Sequence, residues 1–82
     1  MRKTKIGGDN RRRLRALRLD RLRAALQKHG LPLHWEVLAE MVLLPEPDLF
    51  ASQRGVLKFL QWHPGEFEAI GEGVFRLPNH RL

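Results

Sequence analysis

In the first third of the chain the apolar residues recur at helical spacing. Leu19, Leu22 and Leu26 stand at i, i+3 and i+7, one face of an α-helix. The run Arg11 to Leu26, RRRLRALRLDRLRAAL, consists almost wholly of good helix formers. Asp9 or Asn10 suits the N-cap, and Gly30 stands where a left-handed residue ends a helix after His29. The pattern predicts a helix over residues 11–29, about 28 Å long. Traced toward its N-terminus, the leucine face continues through Arg15 and Arg12, which cannot be core. The C-terminal half is therefore expected to pack and the N-terminal half to project. Leu14 and Leu17 fall on another stripe, which the same core does not explain.

Pro32 disfavours helix for Leu31, so residues 30–34 read as a short extended connector. A second helix is expected from near His34 to near Leu44, stopped by Pro45 and Pro47. Trp35, Leu38 and Val42 form its inner face; Glu36 and Glu40 share the outer one. A third helix starts from Asp48 or, more firmly, from Ser52 as cap, and runs to the break at His63-Pro64-Gly65. Val56, Phe59 and Leu60 face inward, while Arg54, Lys58 and Gln61 form an outward stripe at i, i+4 and i+7. After the break, EFEAIGEGVFRLP alternates as a β-hairpin with Gly71-Glu72-Gly73 as its loop. The expected register pairs Ile70 with Val74, Ala69 with Phe75, Glu68 with Arg76 and Phe67 with Leu77. Phe67, Ala69, Phe75 and Leu77 then share the core face, Glu68 and Arg76 pair across the outer face, and Pro78 ends the strand.

The order is helix, short extended segment, helix, helix, hairpin. Short helices and a hairpin bury their apolar faces only by packing together. The fold expected is mostly α, a winged helix-turn-helix with a three-helix core and a C-terminal two-stranded wing. Residues 1–8 read as a flexible basic arm closed by Gly7-Gly8, residues 9–78 as the domain, and residues 79–82 as a tail.

Length and charge sharpen this picture. A chain of 82 residues is one domain with a thin core. Without cysteine it has neither disulfides nor a thiolate metal site, which suits a cytoplasmic location. No apolar run approaches the roughly 18 residues of a membrane span, and the charged N-terminus leads into arginines rather than into the apolar stretch of a signal peptide. The net charge of +6 is unevenly spread. Residues 1–30 hold 11 Lys/Arg against 2 acids, a net +9; residues 31–82 hold 4 against 7, a net −3. The basic excess sits where a polyanion would be met.

The residues Gly30-x-Pro32-Leu33-His34-Trp35-x-x-Leu38-Ala39, then Val56-x-x-x-Leu60, Phe67 and Gly73-Val74-Phe75-x-Leu77, resemble the HARE-type winged helix. That family occurs in the delta subunit of bacterial RNA polymerase and fused to restriction endonucleases and chromatin proteins. The resemblance covers about residues 19–78 and implies the same fold, with DNA or the transcription machinery as partner. The acidic, proline-rich connector at residues 45–48 and the arginine-rich extension before residue 19 depart from the family pattern.

Candidate chemistry follows from these faces. In a helix-turn-helix the third helix enters the major groove, where arginine forks to guanine, glutamine to adenine, and lysine takes guanine or phosphate. Arg54, Lys58 and Gln61 are therefore the candidate base readers. Arg11, Arg12, Arg13, Arg15 and Arg18 are the candidate phosphate contacts, because only Asp20 is near enough in sequence to balance the run. Cations near a helix N-terminus also oppose its dipole. The hairpin bears Glu66, Glu68 and Glu72, which repel phosphate, so it reads first as an ordinary hairpin covering the core, and only after that as a protein contact through its outward Ile70 and Val74. His29, His34, His63 and His80 show no metal-ligand spacing, and His34 reads as a cap or turn residue. No catalytic constellation or phosphate-binding glycine loop stands out, and so thin a core is expected to leave no ligand pocket of about 300 Å³ or more. The chain is thus expected to be no enzyme, with no cofactor and no small-molecule substrate. Leu14, Leu17, Arg21, Ala24 and Lys28 offer only a sparse seam for dimerisation. Two readings follow: a DNA-binding protein of transcription or DNA organisation, or a protein-interaction module of RNA polymerase or another complex that uses its acidic hairpin and the Glu36/Glu40 face.

Overall fold

The computed structural model describes residues 6–78, with side chains from residue 11 onward. Residues 1–5 of the expected arm and the 79–82 tail with His80 lie outside the described residues. Three helices and a small antiparallel sheet follow one another as α1 (Ile6–His29), β1 (Leu33–His34), α2 (Trp35–Leu43), α3 (Gln53–Gln61), β2 (Glu68–Gly71) and β3 (Val74–Arg76).

α1 begins at Ile6, upstream of the Asp9/Asn10 cap and inside the expected arm. The helix runs through Gly7-Gly8 although glycine is a poor helix former. Twenty-four residues make a rod of about 36 Å, and the molecule is drawn out to 46 × 29 × 21 Å. Gly30, at φ 78°, ends the helix, its N–H donating to the Leu26 carbonyl at 2.9 Å. Only the C-terminal half of α1 packs. Leu22, Ala25 and Leu26 are buried, Leu19 is half-buried, and residues 11–16 are exposed.

The turn into α2 is made by His34, whose Nδ1 accepts the Glu36 N–H at 3.1 Å. α2 buries Leu38, Ala39 and Val42, whereas Trp35 stays half-buried and Glu36 and Glu40 face out. α3 is capped by Ser52, whose Oγ accepts the Gly55 N–H at 3.3 Å, and buries Val56, Phe59 and Leu60. Between α2 and α3 the proline-rich connector adds two core residues that periodicity does not mark, Leu49 and Phe50, both 4% exposed. This connector lies against α1 beside Leu17 and supplies the neighbour that Leu17 otherwise lacks.

The sheet has three strands, in the order β1-β3-β2, rather than the two of a simple hairpin. Leu33 pairs with Phe75 and His34 with Val74, so the extended connector becomes an edge strand. Pairings of Glu68 with Arg76 and Ala69 with Phe75 agree with the expected register, but Val74 pairs with Gly71 and not with Ile70. Ile70 is the extra residue of a bulge, which turns it outward at 44% exposure. Phe67 and Phe75 are buried and Leu77 is half-buried. Ala69, expected in the core, is exposed because it opens onto a cleft described below.

Gly73 closes the sheet onto α2. Its carbonyl accepts the Trp35 N–H at 2.7 Å, and its φ is 73°. A Cβ at this position would stand 2.9 Å from both His34 Nε2 and Trp35 Cδ1. At Gly30, by contrast, a Cβ would meet nothing within 4 Å. Gly30→Ala carries the left-handed strain alone, about 1 kcal/mol, whereas Gly73→Ala adds a clash and should cost about 2 kcal/mol or more. Urea midpoints of the two variants, compared at equal m-value, check this ordering.

Candidate nucleic-acid interface

The arginine run of α1 divides into two groups. Arg18 is half-buried: its Nε donates to the Leu49 carbonyl at 2.7 Å, and its guanidinium lies 4.5 Å from the centre of the Phe50 ring. Burial lowers its pKa from the ordinary arginine value, although a guanidinium so perturbed stays charged. Arg21 Nε donates to Glu46 at 2.5 Å and its Nη1 reaches Asp20 at 3.0 Å. The bond to Glu46 and its charge raise the Arg21 pKa. Arg23 bonds to Glu66 across the fold. The positive run is thus balanced in its C-terminal half by acids distant in sequence, not by Asp20 alone. Arg18, a candidate phosphate contact, is partly committed to holding the connector.

The second group is Arg11, Arg12, Arg13 and Arg15. All four are exposed, and none forms an ion pair or a hydrogen bond with another described side chain. Because α1 starts at Ile6, these residues lie beyond its first turn, where the helix dipole acts most. The opposition to the dipole inferred from the sequence is therefore weak. What remains is mutual repulsion, with Arg11 and Arg15 one turn apart. The four guanidiniums ride on the half of the rod that the core does not hold.

On α3, Arg54, Lys58 and Gln61 are all exposed on one face, as their spacing requires. Trp62 follows on the same side, at i+8 from Arg54, and is 76% exposed. Spacing alone does not mark it out, because an aromatic at the end of a helix reads equally well as core. Of the hairpin glutamates, Glu66 is paired with Arg23, and Glu68 accepts from Arg76 Nε at 2.9 Å. Two of these three negative charges are therefore compensated.

Between α3 and the hairpin lies an open cleft of about 530 Å³, floored by Trp35, Phe67 and Phe75 and flanked by Leu57, Gln61 and Ala69. It overturns the expectation that the core leaves no room of ligand size. The cause is local: Ala69, Gly71 and Gly73 have too little side chain to fill the space beside α3. The lining is mainly apolar, with Gln61 and Glu68 the polar side chains on its rim. No group of three His, Cys, Asp or Glu residues able to hold a metal occurs among the described residues. No helix among them is long and apolar enough to cross a membrane.

Comparison of the chain with protein-family models, with curated proteins and with solved structures finds no match.

Proposed function

We propose that this chain is a winged helix-turn-helix protein that binds nucleic acid, double-stranded DNA before RNA, in transcription or DNA organisation. One observation carries the reading. Arg11, Arg12, Arg13 and Arg15 are exposed and without acidic partners among the described residues, while Arg18, Arg21 and Arg23 serve the fold. Four cations gathered on a projecting helix repel one another, and a polyanion relieves that repulsion. The quartet would grip phosphate while α3 lies in the major groove with Arg54, Lys58 and Gln61 toward the bases. The HARE-type resemblance of residues 19–78 points the same way, and the lack of cysteine suits a cytoplasmic site of action.

The alternative, a protein-interaction module attached to RNA polymerase or another complex, draws on the apolar cleft and on Ile70 exposed beside it. Selection on random duplexes separates the two. The DNA reading predicts an enriched site, and Arg54→Ala should lose about 1–3 kcal/mol on that site and flatten the preference there. No enriched site, together with retention of a protein from lysate after nuclease treatment, would favour the interaction module.

A further inference from the structure

Trp62 is the most exposed aromatic side chain among the described residues, at 76%, yet its backbone is tightly held. Its N–H donates to the Lys58 carbonyl at 2.9 Å at the end of α3. The next residue, His63, donates from Nδ1 to the Phe59 carbonyl at 2.7 Å, and its ring stacks on Phe59 at 4.2 Å. Phe59 is itself buried against Phe50. The indole therefore stands on a hydrogen-bonded helix end with little of its own surface covered. Arg54, Lys58 and Trp62 occur at i, i+4 and i+8 and so share one side of α3.

We infer that Trp62 stacks on an unpaired nucleobase next to the duplex that α3 contacts, so that the preferred ligand is DNA with a gap or a frayed end. This deepens the DNA-binding reading and rests on it. Lys58 one turn before the indole, with Arg54 a turn further back, fits a partner offering both phosphate and a π-face; an apolar protein surface packed on the indole would have to desolvate the Lys58 ammonium. Inside a duplex each base is covered above and below by its neighbours. An indole finds an open face only where pairing stops. Eight residues of helix place Trp62 about 12 Å along α3 from Arg54, a span of roughly three to four nucleotides at about 3.4 Å each. Arg54 thus meets paired DNA while Trp62 meets its edge.

The test compares an intact duplex, the same duplex with a short single-stranded gap, and the single strand alone. The wild-type chain should bind the gapped duplex about tenfold more tightly than the intact one, the range of one base stacked on an aromatic ring. Trp62→Ala should bind gapped and intact duplex alike, and Trp62→Phe should keep part of the preference because it keeps a π-face. In a Trp35→Phe background Trp62 is the only tryptophan, and its emission should be quenched by the gapped duplex. Should that variant fail to fold, the affinity series decides alone. If intact duplex is bound with a steep salt dependence but the gap preference is absent or survives Trp62→Ala, the stacking is wrong and DNA binding stands. Failure to bind any of the three ligands overturns both.

Discussion

Phe75→Ala is expected to remove about 3–5 kcal/mol of folding stability, the usual cost of truncating a buried aromatic ring. Phe75 is 3% exposed and lies on β3, the central strand, with Leu33 opposite on one side and Ala69 on the other. Its ring also floors the cleft beside α3. Little can collapse into the space it would leave, because Ala69, Gly71 and Gly73 are already small and Gly73 is tied to Trp35 through the backbone. A domain of this size has a total stability near the low end of the usual range, about 5 kcal/mol. The variant should therefore be close to unfolded at room temperature, with a shallow or absent thermal transition. A melt within a few degrees of the wild type would place Phe75 outside the core and dissolve the link between sheet and helices.

Replacing Arg11, Arg12, Arg13 and Arg15 together by glutamine should do the opposite: leave the fold intact and abolish most of the binding. If each arginine displaces one counterion, the slope of log K against log salt concentration loses about 3–4 units. Near 0.1 M salt that amounts to roughly three orders of magnitude in affinity. The loss should be alike for all sequences, because phosphate contacts carry no base information. The melting temperature should hold or rise slightly, since the four side chains touch no acid among the described residues and repel one another. Arg18→Gln provides the contrast. It removes the bond to the Leu49 carbonyl and the contact with Phe50, and so should lower stability by about 1–2 kcal/mol. Its effect on the salt slope should be at most about one unit. Unaltered DNA affinity together with an altered melt in the quartet variant would make those arginines structural.

What could be read from the chain follows how local each signal is. α2 and α3 are short amphipathic helices bounded by prolines and by side-chain caps at His34 and Ser52, so their inward and outward faces follow from spacing alone. The stripe Arg54, Lys58 and Gln61 was legible for that reason. Leu49 and Phe50 sit in an irregular connector, where no period distinguishes core from surface. The hairpin shows how one residue escapes: an extra position can be placed in the loop or in a bulge, and it falls at Ile70. The partners of Arg21 and Arg23 are Glu46 and Glu66, which sequence distance hides. Most of the candidate interface depends on those distant pairs, because they separate arginines that hold the fold from arginines left over. The cleft was illegible because it arises from what Ala69, Gly71 and Gly73 fail to fill, and a void leaves no mark on the pattern of apolar residues.

If the projecting arginines grip phosphate, wild-type binding to plain duplex DNA should fall steeply with salt. Four arginines of α1 together with Lys58 of α3 predict a slope of log K against log salt concentration of about −4 to −5. Raising the salt from about 50 mM to about 200 mM should then weaken binding about five-hundredfold. A slope near zero, or no duplex binding at the lower salt, would mean that these arginines do not grip phosphate.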